Sequence, residues 1–214
     1  RIGENDLTGL PNQPFALKTP AGDPLPQGVV TRDLVHAFYN NQLQINGGRN
    51  DGFVAWGDSG ALVMGHYGDN NVNLRLWGIA QDYTLCDNFF MGAFGGSFLN
   101  HQYLVACTPP YYPDPANSPA KNLIAEFSDG DEKGIKLKPL PDLPASAMTG
   151  PARFGPRALT PDGRAVNTMQ PAYAPTGTRD EKNPDYGDPD NSATLPPQVH
   201  ATIGDRRADK GIDW

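Results

Sequence analysis

The 214 residues carry 17 basic and 24 acidic side chains, a formal net charge of −7, with 38% hydrophobic and 9% aromatic content. That is enough apolar material for one sizeable core or two small ones, within the size range of a globular domain. Lys and Arg nowhere cluster, and no apolar run approaches the ~18 residues that a bilayer span needs, so neither nucleic acid nor a membrane span is expected.

The chain opens on Arg1-Ile2-Gly3-Glu4 rather than Met, without a basic-then-apolar leader, and closes on Gly211-Ile212-Asp213-Trp214, which reads as a helix stop leading into a strand. It is therefore expected to be a piece of a longer polypeptide. Residues 1–30 hold "LPNQPFALKTPAGDPLPQG", where repeated prolines remove amide donors and fix φ, so the lead-in should be extended and irregular. The first helix is expected after Thr31 as cap: Leu34, Phe38 and Ile45 fall near Val35, Tyr39 and Leu43 on one apolar side, and Gly47-Gly48 ends it. Asp51, in "NGGRNDGF", is expected to hold its loop by Asx-type hydrogen bonds. A second helical pattern runs through Val72, Leu76, Ile79, Ala80 and Tyr83. "TLCDNFF" then reads as a buried strand, β-branched at its start and aromatic at its end. Cys86 and Cys107 are too few for a disulfide framework and are not spaced for zinc; one bridge or two buried thiols both stay open.

After the "FGGS" loop, Leu99, Tyr103 and Ala106 recur at spacings of four and three until Thr108-Pro109-Pro110 stops the helix. From 108 to 198 the chain holds 17 of its 22 prolines, so this stretch reads as a long loop-rich insertion with short strands at "NLIAEF", "IKLKPL" and "AVNTM". Regular structure returns at Thr202 to Lys210.

Ser97 is the leading candidate for chemistry. A serine hydroxyl is a weak nucleophile at neutral pH and needs a metal, a base or a positive potential to activate it. The start of a helix supplies the last of these, through unsatisfied N–H groups and the helix dipole. Gly95 and Gly96 would then lack side chains so that a substrate can approach the backbone. Asn100 and His101 follow within about one turn, His101 on the same side as Ser97, where it would orient the nucleophile or the phosphate. The plainer alternative is that Ser97 is only a helix cap. Gly57-Asp58-Ser59-Gly60 matches a serine-protease signature, but only His36 precedes it and a triad needs more, so it reads as a turn; GxSxG is absent. His66 and His200 carry weaker signals, and the acidic runs at 128–132 and 185–190 lack EF-hand spacing.

"NNQLQINGGRNDGFVAWGDSGALVMGHYGD", then "LWGIAQDYTLCDNFFMGAFGGSFLNHQYLVAC", resembles the bacterial phosphoesterase family of acid phosphatases and phospholipases C, relatives of alkaline phosphatases and arylsulfatases. The similarity continues in "AVNTMQPAYAP" and "LPPQVHATIGDRRADKGIDW". The resemblance implies an α/β fold with an alkaline-phosphatase-like mixed sheet flanked by helices, seen here as a central fragment. In it, 1–30 is the lead-in, 31–107 the core segment with the nucleophile, 108–198 the insertion and 199–214 a return to the core. It further implies a divalent-metal-dependent hydrolase of small phosphate esters, exported to the periplasm or secreted. Ser97 would be the nucleophile and a metal ligand and would form a phosphoserine; Asn100, which matches the family's Asn, would bind the substrate phosphate together with His36 and His101. Serine rather than threonine at 97 is closer to the acid phosphatase branch than to phospholipase C. Glu4-Asn5 in "ENDLTGLP" lacks the rest of the family's first metal motif, and the paired histidines and aspartates of that site are not found. The remaining metal ligands are therefore expected from other segments of the polypeptide or a companion chain; a non-catalytic binding or structural module is the alternative.

Overall fold

A computed structural model describes residues 14–30, 34–57, 60–68, 74–138 and 157–213. Thr31, Glu4-Asn5, Asp58-Ser59, Val72 and part of the insertion lie outside them. The described residues form a mixed α/β structure in which strand pairing is slight. β1 (Phe15–Ala16) and β2 (Gly65–His66) pair in parallel, Phe15 with Gly65 and Ala16 with His66. The mixed sheet implied by the resemblance is represented among the described residues by this pair and by single-residue bridges.

The first helix, α1 (Phe38–Ile45), begins later than the apolar spacing predicts. Residues 34–37 precede the helix, and Ala37 is extended at φ −117°, ψ 143°. The Phe38 N–H is taken by the Asn167 side chain at 2.9 Å, so a residue 129 positions away fixes the helix start, a tertiary cap that no local pattern reveals. Its other end follows expectation: Asn46 enters the left-handed region (φ 48°), and the following 3₁₀ turn (Asn46–Gly48) carries positive φ at both glycines. Asp51 accepts from the Asn46 amide at 2.7 Å and lies 3.4 Å from Arg49; those two contacts, the amide first, hold its carboxyl below the usual range. α2 (Phe53–Trp56) then packs against α1. A side chain at Gly52 would overlap the Leu43 carbonyl oxygen, so only glycine allows this corner.

Tyr39, Leu43, Ala55 and Trp56 form one core cluster together with Ala125, Leu137 and Val166 of the proline-rich stretch. A second cluster, Tyr112, Ala120, Leu159, Ala165, Met169 and Leu195, lies wholly within that stretch. The expected strands there shrink to bridges: Ile124 to Leu159, Phe127 to Leu137 and Leu159 to Ala165. Proline cannot donate to a ladder, which keeps pairing local.

α3 (Arg75–Asp82) matches the second helical pattern. The strand expected at "TLCDNFF" does not form: 83–90 is exposed irregular chain, Phe89 85% exposed. Apolar composition makes a strand only where a neighbouring strand accepts its hydrogen bonds, and none lies beside this stretch among the described residues. Cys86 and Cys107 are both free and exposed, so neither the bridge nor the buried-thiol reading holds. α4 (Ser97–Ala106) occupies the expected place and ends on Cys107 at φ 53°. α5 (Ile203–Ala208) opens with a Thr202–Asp205 capping box, and Gly211 follows it at φ 63°.

Candidate active site

The loop before α4 is built by side chains on both of its flanks. Asn100 Oδ1 accepts the Ala93 N–H at 3.1 Å, and its amide donates to the Ala93 and Gly96 carbonyls, each at 3.1 Å. Gln42 of α1 donates to the Phe94 carbonyl at 3.1 Å, tying the loop to the first helix. Gly95 is wedged where a Cβ would come within 2.8 Å of Leu99 Cδ2 and 3.4 Å of Phe38 Cδ2, and a Cβ on Gly96 would overlap the His36 carbonyl oxygen. The double glycine therefore answers a close approach, but what approaches is the chain's own backbone and core rather than a substrate.

Gly96, extended at φ −71°, ψ −179°, is the residue before the helix, and Ser97 is the first helical residue. The capping alternative for Ser97 thus falls away. Its side chain is exposed, and among the described residues nothing hydrogen-bonds its Oγ. It opens into a cleft of about 560 Å³ whose walls come from 34–37, 96–98, Arg157 and 166–168.

His36 sits in this cleft, on the extended segment before α1 rather than on the helix where the periodicity puts it. His101 does not line the cleft; its Nδ1 lies 2.7 Å from the Ser97 carbonyl. Because a carbonyl only accepts, Nδ1 carries the hydrogen in that bond and Nε2 is the lone-pair nitrogen of the neutral ring. Asn100, with both ends of its amide bonded to loop backbone, positions the loop that holds Ser97.

Two lining residues have no counterpart among the candidates picked from the sequence. Asn167 accepts from Phe38 N–H and donates to the Arg157 carbonyl, and Arg157 Nη1 donates to Asn40 Oδ1 at 3.0 Å. Asn167 falls inside "AVNTMQPAYAP", one of the segments that carries the resemblance, and this was the only available signal; Arg157 had none.

The electrostatics follow from this geometry. α1 and α4 both begin at the cleft, since the residues preceding each, Ala37 and Gly96, line it. Each helix start carries roughly half a positive charge, to which the guanidinium adds a full one. None of the described lining residues is acidic, although the chain as a whole carries −7. Such a cleft favours an anion.

A metal cage is another matter. Among the described residues no three His, Cys, Asp or Glu side chains come together, and the Asn100 amide is already bonded to backbone. The described part of the site does not fit the divalent ion that the resemblance implies.

A sequence model of the Phosphoesterase family matches residues 3–214, nearly the whole chain. The chain belongs to the Phosphoesterase family. No solved structure matches it. The protein is thus a phosphoester hydrolase by family. Among the described residues no helix is long and apolar enough to cross a membrane.

Proposed function

We propose that this phosphoesterase hydrolyses small phosphate monoesters in the manner of an acid phosphatase, with Ser97 as nucleophile. The observation that carries the reading is the position of Ser97: first residue of α4, its hydroxyl without a hydrogen bond among the described residues, in a cleft where two helix starts and Arg157 converge. An ester phosphate held there lies against N–H groups and positive charge that also stabilise the charge developing in the transition state.

Ser97 Oγ attacks phosphorus in line; its proton passes to His36, the ionisable lining residue able to accept one, since arginine stays protonated. The bond from phosphorus to the leaving alcohol breaks as the Ser97 ester forms, and the alcohol departs with the proton that His36 gives back. Water then attacks the phosphoserine, releasing phosphate and restoring the hydroxyl. The divalent ion implied by the resemblance would need ligands from other segments or a companion chain, and none of these steps is routed through it. An exported setting, periplasmic or secreted, belongs to the same proposal.

The test is turnover of p-nitrophenyl phosphate by the complete protein, with phosphatidylcholine as comparator. Ser97→Ala should lower kcat by roughly a thousandfold, as removal of a preorganised catalytic group does. Acid quenching during turnover should trap phosphate on Ser97, seen by mass spectrometry. Near-normal turnover by Ser97→Ala removes the serine from the mechanism. The absence of a metal cage among the described residues favours a second reading, a non-catalytic binding module. Phosphate binding with no turnover by the complete protein would select it.

A further inference from the structure

We infer that the proline-rich stretch holds a second binding site, a cavity that takes a small organic ammonium ion with an apolar body. The cavity measures about 440 Å³, within the range of small-molecule sites, and shares no lining residue with the Ser97 cleft. Its charge has the opposite sign. The described walls hold one acid, Asp180, and no Lys, Arg or His.

Three kinds of group line it. Tyr173 and Tyr186 pair across an antiparallel bridge with their rings edge-on at 5.4 Å, and buried Tyr112 adds a third phenol. The negative face of such a ring attracts a cation. Neighbouring Tyr111 already has one, the Arg164 guanidinium at 4.8 Å from its ring centre, whereas among the described residues no cation of the chain lies over Tyr112, Tyr173 or Tyr186. Asp180 Oδ1 accepts the Lys182 and Asn183 N–H groups at 2.7 and 3.1 Å, which fixes the carboxylate in its turn. Its other oxygen has no partner among the described residues, and neither basic neighbour takes it. Arg179 Nε donates to the Pro175 carbonyl at 3.0 Å, and no ion pair joins Asp180 to Lys182. Thr194 is 4% exposed, and its Oγ1 is buried without a hydrogen-bond partner among the described residues. Its methyl packs where a Cβ on Gly187 would come within 2.7 Å, so packing holds this side chain in place. A buried hydroxyl left unpaired is costly, and in a native fold it marks a partner still to come.

These features select the ligand. An anion meets Asp180 and no positive charge. A sugar needs donors and acceptors all round its ring, and the prolines of this wall offer no N–H. A wholly apolar molecule leaves Asp180 and Thr194 unsatisfied. A protonated amine answers all three groups: its N–H bonds find acceptors in Asp180 and Thr194, its charge is stabilised by the tyrosine rings, and its apolar body covers Pro196. Edge-on packing of two tyrosines accounts for the rings alone and leaves the carboxylate and the hydroxyl without a purpose.

Calorimetric titration of the full-length chain near neutral pH tests this with phenethylammonium and its uncharged counterpart, phenethyl alcohol. The wild type should bind the cation about tenfold or more tightly than the alcohol, as a charge-assisted contact provides. Asp180→Asn, whose amide oxygen still accepts the two N–H groups of the turn, should erase most of that preference. Thr194→Val should weaken phenethylammonium about threefold or more and leave phenethyltrimethylammonium, which has no N–H, unchanged. Tyr186→Leu should weaken both cations, and Tyr186→Phe, with its ring intact, neither. The wild-type preference needs no variant, so a substitution that unfolds the protein still leaves a decision. Equal affinity for cation and alcohol, no binding of phenethylammonium at millimolar concentration, or a preference that survives Asp180→Asn each overturns the proposal. Ser97→Ala should leave the phenethylammonium Kd unchanged; a loss there would put the cation in the Ser97 cleft and overturn it equally.

Discussion

The most proline-rich stretch of the chain and its most helical one behave in opposite ways. Within 108–198, which lacks a regular strand among the described residues, Ala120, Leu159 and Ala165 are fully buried. Within 74–107, which contains α3 and α4, Leu76, Trp77, Leu85, Phe90 and Leu104 are exposed. Hydrogen-bonded regularity and burial are separate achievements. The proline-rich chain repeatedly meets itself, Tyr111 against Arg164 and Gln170 against Thr194, and each crossing brings apolar side chains together. The helices satisfy their own backbones and need no such crossing. Where α4 does meet the rest, at its first turn, Leu99 is 4% exposed and Phe98 packs on the second core cluster; five residues on, Leu104 is 76% exposed. The anchored end is the one that carries Ser97.

The largest effect that sharpens this contrast comes from paired truncations. Leu159→Ala removes a fully buried side chain at a double bridge and should cost about 3 kcal/mol, while Leu104→Ala should stay within about 0.5 kcal/mol. Urea midpoints of both variants measure it. Equal losses would mean that burial does not divide the two stretches as described.

Tyr39 joins the helical core to the proline-rich chain, packing edge-on against Phe127 at 5.5 Å between ring centres. Burial first, then the negative charge of Asp162, pushes its phenol up to about 12. A raised acid holds its proton more tightly when folded, so the stability it confers is complete below the unfolded value near 10 and is lost as pH rises toward about 12. That loss should reach about 2 kcal/mol. Urea unfolding at stepped alkaline pH should show it, and Tyr39→Phe should flatten the curve over that window. An unaltered slope in the variant would place the alkaline sensitivity elsewhere.

How much of this was legible in the sequence follows the same division. α4, its glycine loop and the place of α5 were readable because their signals are local: periodicity and a breaker. So was the family, from long ordered segments. The start of α1 was not, because its cap is supplied from position 167, and His36 was consequently placed on a helix it precedes. The strand at "TLCDNFF" was misread because short apolar runs carry no information about whether a partner strand exists. Of the candidate residues, Ser97 and His36 line one cleft, whereas His101 lies outside its lining. Arg157 was beyond reach, since a lone arginine in a loop has no spacing to betray it.

The smallest effect tests the open side of the comparison. Gly78 sits inside α3 with an ordinary helical φ, and a Cβ built on it meets no atom within 4 Å. Alanine there lowers the entropy of the unfolded chain and suits the helix better, so Gly78→Ala should stabilise α3 by about 0.5–1 kcal/mol. The same change at Gly96 drives a methyl into the His36 carbonyl oxygen and should destabilise the protein and disturb the cleft, because backbone cannot step aside as a side-chain tip can. Amide exchange across 75–82 reads the first change and circular dichroism melting the second. Slower exchange in Gly78→Ala is the expected outcome. Faster exchange would mean that the glycine makes room for something packed against α3, and the helical stretch would then be less exposed than its neighbours Leu76 and Ile79 indicate.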